Sequence, residues 1–186
     1  PHKSKSASPQ SQDVEPLPRD LFDSPTADFV LHCLDGVTLR VHSTILSFAS
    51  PVLAKLIADH AATASGQTNY RPAELHEDGH ILGKVLEYVY PCPQPAPPAS
   101  LERLKTLLEA AHKYQLDAAL AALRTSLPSF ITTTPSAEHP DAIRTTLRVF
   151  ALASRYGFKD ERIAATCALL RIRHDKLCDV YAEELE

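Results

Sequence analysis

Residues 28–57 read DFVLHCLDGVTLRVHSTILSFASPVLAKLI, and this stretch decides the fold. Asp28–Leu34 is dense in aliphatic, aromatic and β-branched side chains, so it is a strand candidate. Asp35-Gly36 follows, a pair suited to a tight turn because glycine accepts left-handed backbone angles. Val37–His42 then alternates apolar and polar residues, as a strand with one buried face does. Two such runs about an Asp-Gly turn predict a β-hairpin. The period next lengthens. Val41, Ile45, Leu46 and Ala49 fall at helical spacing. Ser50-Pro51 ends that helix and opens another, with Ser50 as N-cap and Pro51 in the first helical position. Val52, Leu53, Leu56 and Ile57 give the second helix an inner face as far as about His60.

Outward from this stretch, residues 1–20 hold four prolines and few large apolar side chains. They bury too little surface to offset the entropy of ordering and are predicted to be a disordered lead-in. Residues 21–27 connect them to the hairpin. Residues 61–69 form a polar loop, and Tyr70–Leu75 a weak edge strand, since Pro72 cannot donate to a sheet ladder. Asp78 caps a helix carrying Ile81, Leu82, Val85, Leu86 and Val89, stopped by Pro91. The five prolines of residues 91–98 make a stiff insert. Ser100 caps a long helix with Leu101, Leu104, Leu107, Leu108 and Ala111. Gln115-Leu116-Asp117 breaks it, and a shorter helix runs to about Ser126. Residues 128–139 read as a linker, and 140–186 as a helical extension. The extension has an inner face of Ile143, Leu147, Phe150 and Ala151, closed by Gly157. A helix capped by Asp160 follows, with Ile163, Cys167 and Leu170 along one side, and a last helix from Asp175 with Leu177, Val180 and Tyr181. These terminal helices have too little apolar surface to stand alone and are expected to pack on the rest. The predicted class is α+β: a small sheet, hairpin plus weak edge strand, capped by a helical cluster.

Composition narrows the function. The chain has 186 residues, 44% of them hydrophobic and 23% charged, enough for a core without disulfides or metal. Its net charge of −4 argues against a nucleic-acid grip, which needs clustered Lys and Arg. No apolar run approaches the ~18 residues of a membrane span. The polar N-terminus shows no secretory signal, and Pro1 in place of Met reads as a chain processed, trimmed or cut from a longer one. Four cysteines without a CxxC spacing favour a reduced, intracellular compartment, cytoplasmic or nuclear. Cys33 and Cys167 read as small core residues, and Cys92, among prolines, as exposed. Five glycines leave no extended phosphate cradle.

One segment poses a catalytic alternative. His76-Glu77-Asp78-Gly79-His80 matches H-E-x-x-H, in which two histidines one helical turn apart bind zinc and the Glu serves as base. That chemistry needs an unbroken helix across all five residues. Asp-Gly is poor inside a helix, so the segment reads instead as a strand-to-helix junction with Glu77 and Asp78 at a helix N-terminus. A zinc-dependent hydrolase is thus the alternative reading, and no catalytic, cofactor or metal residue is assigned. Arg144, Arg148 and Arg155 share a helix and read as a solvated face.

Residues 28–60 resemble the opening of a BTB/POZ domain. Asp28, the Asp35-Gly36 turn, Val41-His42, Leu46 and Ser50 occupy the places of that family's pattern. Leu75–Asp78 with the helix after it is similar to the family's strand, acidic cap and third helix, and LLEAAHKY (107–114) to its fourth. VFALASRYG (149–157) resembles the helical extension that follows many such domains, and Tyr90-Pro91 with its proline insert looks most like members from fungi. The resemblance implies a domain over about 21–127 and a non-enzymatic protein-interaction module without cofactor. Such a module associates with itself or another chain, or serves as adaptor for a cullin-type ubiquitin ligase or a transcriptional assembly. Direct nucleic-acid and membrane contact are not implied. A structural homo-oligomer without outside partner is a further alternative. Asp28, Asp35, Gly36, His42 and Ser50 carry over as fold-supporting residues only. The sequence departs from the family at Ser43, where a basic residue is usual, in its proline-rich residues 9–25, and at PCPQPAPP (91–98), which replaces a strand and loop.

Overall fold

Hydrophobic alternation places the hairpin. In the computed structural model, which describes residues 19–64, 72–131 and 139–172, a short helix α1 (Arg19–Phe22) precedes strands β1 (Phe29–Cys33) and β2 (Thr38–Val41). The strands pair antiparallel, Phe29 opposite Val41 and Leu31 opposite Leu39. Phe29, Leu31, Cys33, Leu39 and Val41 are buried, while His32, Thr38 and Arg40 face outward. Gly36 sits at φ +80°. Its N–H donates to the Cys33 carbonyl at 3.0 Å, and Cys33 N–H to the Val37 carbonyl at 2.9 Å. The connection is therefore a three-residue loop with its left-handed position at Gly36.

Helices α2 (Ser43–Ala49) and α3 (Pro51–Ala64) cross to β3 (Ala73–Leu75), which pairs parallel with β1. The sheet order is β2-β1-β3, so β3 is an edge strand. Pro72 stands just before it, where its missing N–H costs no ladder bond. The second helix runs past His60 to Ala64, because the alanine-rich residues there favour helix over the polar loop expected from 61.

α4 (Gly79–Glu87) is the central helix, buried on nearly every side. It ends at Glu87 rather than near Tyr90, and Tyr88–Tyr90 continue as tightening turns toward Pro91. After the proline segment come α5 (Leu101–Lys113), α6 (Asp117–Arg124) and a 3-10 turn at Leu127–Phe130. The turn occupies positions read as the start of a linker. Leu127 anchors it in the core. Then follow α7 (Pro140–Arg155) and α8 (Lys159–Leu169). Val149, Leu152 and Ala165 join the same core as Leu31, Leu86, Leu108 and Leu123, so α7 and α8 extend one hydrophobic interior.

The inner faces of the last two helices differ from those expected. α7 buries Ile143, Thr146, Val149, Leu152 and Ala153, while Phe150 and Ala151 face outward. α8 buries Glu161, Ala165 and Ala168 and exposes Ile163, Cys167 and Leu170. Cys167 is thus a surface thiol, not a core residue. Asp160 does not cap α8. The cap position is Phe158, and Asp160 lies within the first turn. The lead-in expected over residues 1–20 is ordered at its end, where Arg19 and Asp20 open α1; its part before residue 19, the loop and first strand residues between 65 and 71, the Thr-rich stretch 132–138, and the last helix from Asp175 lie outside the described residues.

Candidate functional site

Four of the five residues singled out by sequence, Asp28, Asp35, His42 and Ser50, hold neighbouring elements together, and Gly36 closes the hairpin loop. Asp28, just before β1, accepts the Ser43 N–H at 2.7 Å and the Ser43 hydroxyl. The Ser43 hydroxyl bond holds the Asp28 carboxyl below its ordinary range. Where the resemblance implies a basic residue, this chain uses a hydroxyl and the first N–H of α2 to satisfy the Asp28 carboxylate. Asp35 accepts from Val37 N–H at 3.1 Å with one oxygen and from Gly79 N–H at 3.0 Å with the other. The hairpin turn is thereby fastened to the start of α4. Gly79 is required there, since a Cβ would collide with Val37.

His42 flanks α2 at its N-cap, and its backbone N–H donates to the Tyr90 hydroxyl at 2.9 Å. Its ring joins Tyr90 at 3.3 Å through Nδ1 and Thr26 Oγ1 at 2.9 Å through Nε2. Tyr90 also packs edge-on to Phe22. Burial pushes its hydroxyl pKa up, so it stays a neutral donor and acceptor. Ser50 is fully buried. Its hydroxyl accepts from Leu53 N–H at 3.0 Å as the cap of α3 and donates to the Tyr114 carbonyl at the end of α5. These contacts position backbone.

The H-E-x-x-H segment is broken as its Asp-Gly predicts. Asp78 is the N-cap of α4 and accepts from His80 and Ile81 N–H at 2.8 and 3.1 Å. His76 therefore precedes the helix, and the two histidines do not stack on successive turns of one helix. Glu77 pairs instead with Lys113 at the end of α5. Among the described residues no group of three or more His, Cys, Asp or Glu is placed to hold a metal ion. No helix among them is long and apolar enough to cross a membrane. Burial pushes the Cys33 thiol up to about 11, so it stays protonated and unreactive at neutral pH. Cys92 is partly buried rather than exposed, its thiol donating to the Glu87 carbonyl at 3.3 Å.

Several large apolar side chains stand exposed on the surface. Phe48 on α2 is 95% exposed, and Leu34 at the hairpin tip is 76% exposed. Sequence reading passed over Phe48, although it lies off the Val41–Ile45–Ala49 face beside Ser47, and a large aromatic on the polar side of a helix is itself a signal. It also missed Tyr90 and Arg124. Arg124, at the end of α6, reaches Glu161 Oε1 and Asp160 Oδ2, both at 2.6 Å, and lies over the Phe158 ring. The bond to Glu161 raises the guanidinium pKa further. Two more pairs, Glu102–Arg148 at 3.1 Å and Glu109–Arg155 at 3.2 Å, tie α5 to α7. Of the three arginines read as a solvated face, Arg148 and Arg155 thus bridge elements as well, while Arg144 pairs with Asp141 on its own helix.

Comparison with curated proteins gives no match. The family model of the BTB/POZ domain matches residues 19–130, from α1 to the end of the 3-10 turn and more than half of the chain. With the sheet order, the Asp28 and His42 contacts and this match in agreement, the chain belongs to the BTB/POZ domain family.

Proposed function

We propose that this BTB/POZ chain works by gripping other protein chains through the outer surface of its α2 hairpin side, as a self-associating or hetero-associating module. BTB/POZ domains are protein-interaction modules. The observation that carries the reading for this chain is Phe48. Its ring is nearly fully exposed on a helix held at both ends, by Asp28 at Ser43 and by Ser50 at the turn into α3. A pre-set helix bearing an aromatic anchor loses little entropy on docking. Asp28, Asp35, Gly36, His42 and Ser50 serve the fold and do not contact the partner. The cysteine usage favours an intracellular chain, and the proposed organisation is a domain over about residues 21–127, a linker over 128–139 and a helical extension after it. Service as an adaptor for a cullin-type ubiquitin ligase, or in a transcriptional assembly, is the finer form of this reading.

Light scattering of the full chain across a concentration series tests the association. The expected result is an assembly whose mass rises with concentration and falls to the monomer in Phe48→Ser. Titration with a purified cullin N-terminal domain tests the adaptor form, and saturable binding supports it. Absence of self-association, together with lysate pull-downs that do not differ between wild type and Phe48→Ser, overturns the reading. If association of this kind were present with no outside partner, the structural homo-oligomer would replace it.

A further inference from the structure

The proline insert does more than connect α4 to α5. Residues 95–99 line an open-mouthed cavity of about 400 Å³, with Pro95, Pro97 and Pro98 contributed by the insert and Tyr88 and Leu107 by the helical segments it joins. This volume lies in the roughly 300–1,000 Å³ range of ligand pockets. The walls are mostly apolar, and proline fixes their backbone before any ligand arrives.

Two cations line this space, and they differ. Lys84 is buried and pairs with Glu87 at 3.3 Å on its own helix. Arg103 on α5 is partly buried and makes no ion pair among the described residues. Among the described residues its guanidinium is an uncommitted fork of donors against apolar walls, where a carboxylate gains more than it would in open water. The first turn of α5 adds to this. Ser100 and Arg103 both line the cavity, so the positive end of a 13-residue helix stands at its edge. The groove between α5 and α7, about 320 Å³, offers a contrast. Its arginines 148 and 155 are already bound to Glu102 and Glu109.

We propose that the proline-roofed cavity receives a short peptide segment of a partner protein, in which a Glu or Asp side chain pairs with Arg103 and an adjacent apolar side chain fills the space between Pro97, Tyr88 and Leu107. This inference rests on the reading of the chain as an interaction module and names the chemistry of one thing it grips.

A displayed random heptapeptide library, selected in parallel on the immobilised full chain and on its Arg103→Glu variant, tests it. Wild type is expected to enrich peptides with Asp or Glu next to Leu, Ile or Phe. Arg103→Glu is expected to lose that enrichment and shift toward Lys and Arg. The most enriched peptide, fluorescein-labelled, should bind Arg103→Glu at least tenfold more weakly by anisotropy and Arg103→Lys by an intermediate amount. Thermal melts confirm that each variant is folded. No acidic enrichment on wild type, or the same enrichment on Arg103→Glu, overturns the inference. Self-association read through Phe48→Ser is measured separately, so loss of peptide selection with association intact removes this site alone.

Discussion

Tyr114-Gln115-Leu116 and Tyr156-Gly157-Phe158, 42 residues apart, close α5 and α7 by the same device. In the first, Leu116 N–H donates to the Ala111 carbonyl at 2.9 Å and Gln115 N–H to His112 at 3.1 Å. In the second, Phe158 N–H donates to Ala153 at 2.8 Å and Gly157 N–H to Ser154 at 3.4 Å. Both are Schellman caps with a left-handed residue, Gln115 at φ 51° and Gly157 at φ 73°. The same offset relates the buried positions Leu107 and Val149, Ala110 and Leu152, Ala111 and Ala153. The hairpins diverge in their second helices. α6 buries Ala119 and Leu123, and α8 at the matching places buries Glu161 and Ala165. One hairpin is seated by volume. In the other, α8 is seated by Arg124 holding Glu161, and its large side chains Ile163 and Leu170 point outward.

The largest way to test that difference is to remove volume from each second helix. Leu123 is fully buried, so Leu123→Ala should cost about 2–5 kcal/mol in urea unfolding. Ile163 is 59% exposed, and Ile163→Ala should stay within about 0.5 kcal/mol. A cost above about 1.5 kcal/mol at Ile163 would mean that the outer face of α8 is covered in solution, and the contrast between the hairpins would fail.

Smaller effects should appear at the two caps, with opposite signs. Gln115 pays for a left-handed backbone that glycine adopts freely, so Gln115→Gly should stabilise by about 1 kcal/mol. At Gly157 nothing crowds an added Cβ, and Gly157→Ala should destabilise by a similar amount through backbone strain alone. Equal shifts of one sign in the denaturation midpoints would show that the caps are not equivalent.

The same contrast explains what the sequence could and could not disclose. The hairpin, the Ser50-Pro51 junction, the Asp78 cap and the break at Gln115 were legible because each rests on local chemistry: alternation, a fixed φ, a side-chain acceptor at a helix start. The inner faces of α7 and α8 were not. Ile163, Cys167 and Leu170 give a clean helical stripe, but the face that packs is Glu161, Ala165 and Ala168, selected by Arg124 from another helix. A periodicity argument sees large apolar residues and cannot see a cation 37 positions upstream. Tyr90 was hidden for the same reason, since its partner His42 lies 48 residues away. Of the candidate surface, the fold-supporting residues were readable from the family pattern. Phe48 and the proline-roofed cavity emerge only when α2 is pinned and α4 meets α5.

The finest distinction lies in the two cap tyrosines. Tyr114 is buried and has Glu77 beside its hydroxyl, so burial first and then the carboxylate push its pKa well above the usual tyrosine range. Tyr156 is raised by burial too, but Arg155 pulls it back. For both, the folded pKa lies above the unfolded one, so their contribution to stability is complete below about pH 10 and is lost as pH rises beyond it. Tyr114→Phe removes a buried hydroxyl that has Glu77 beside it and should cost about 1 kcal/mol. Tyr156→Phe removes a buried hydroxyl with no partner among the described residues, and should be neutral or slightly stabilising. Difference titrations of phenolate absorbance, wild type minus each variant, should show Tyr156 ionising before Tyr114. The reverse order would mean that the cap of α7 holds its tyrosine more tightly than the cap of α5, against the opposing charges of Arg155 beside Tyr156 and Glu77 beside Tyr114.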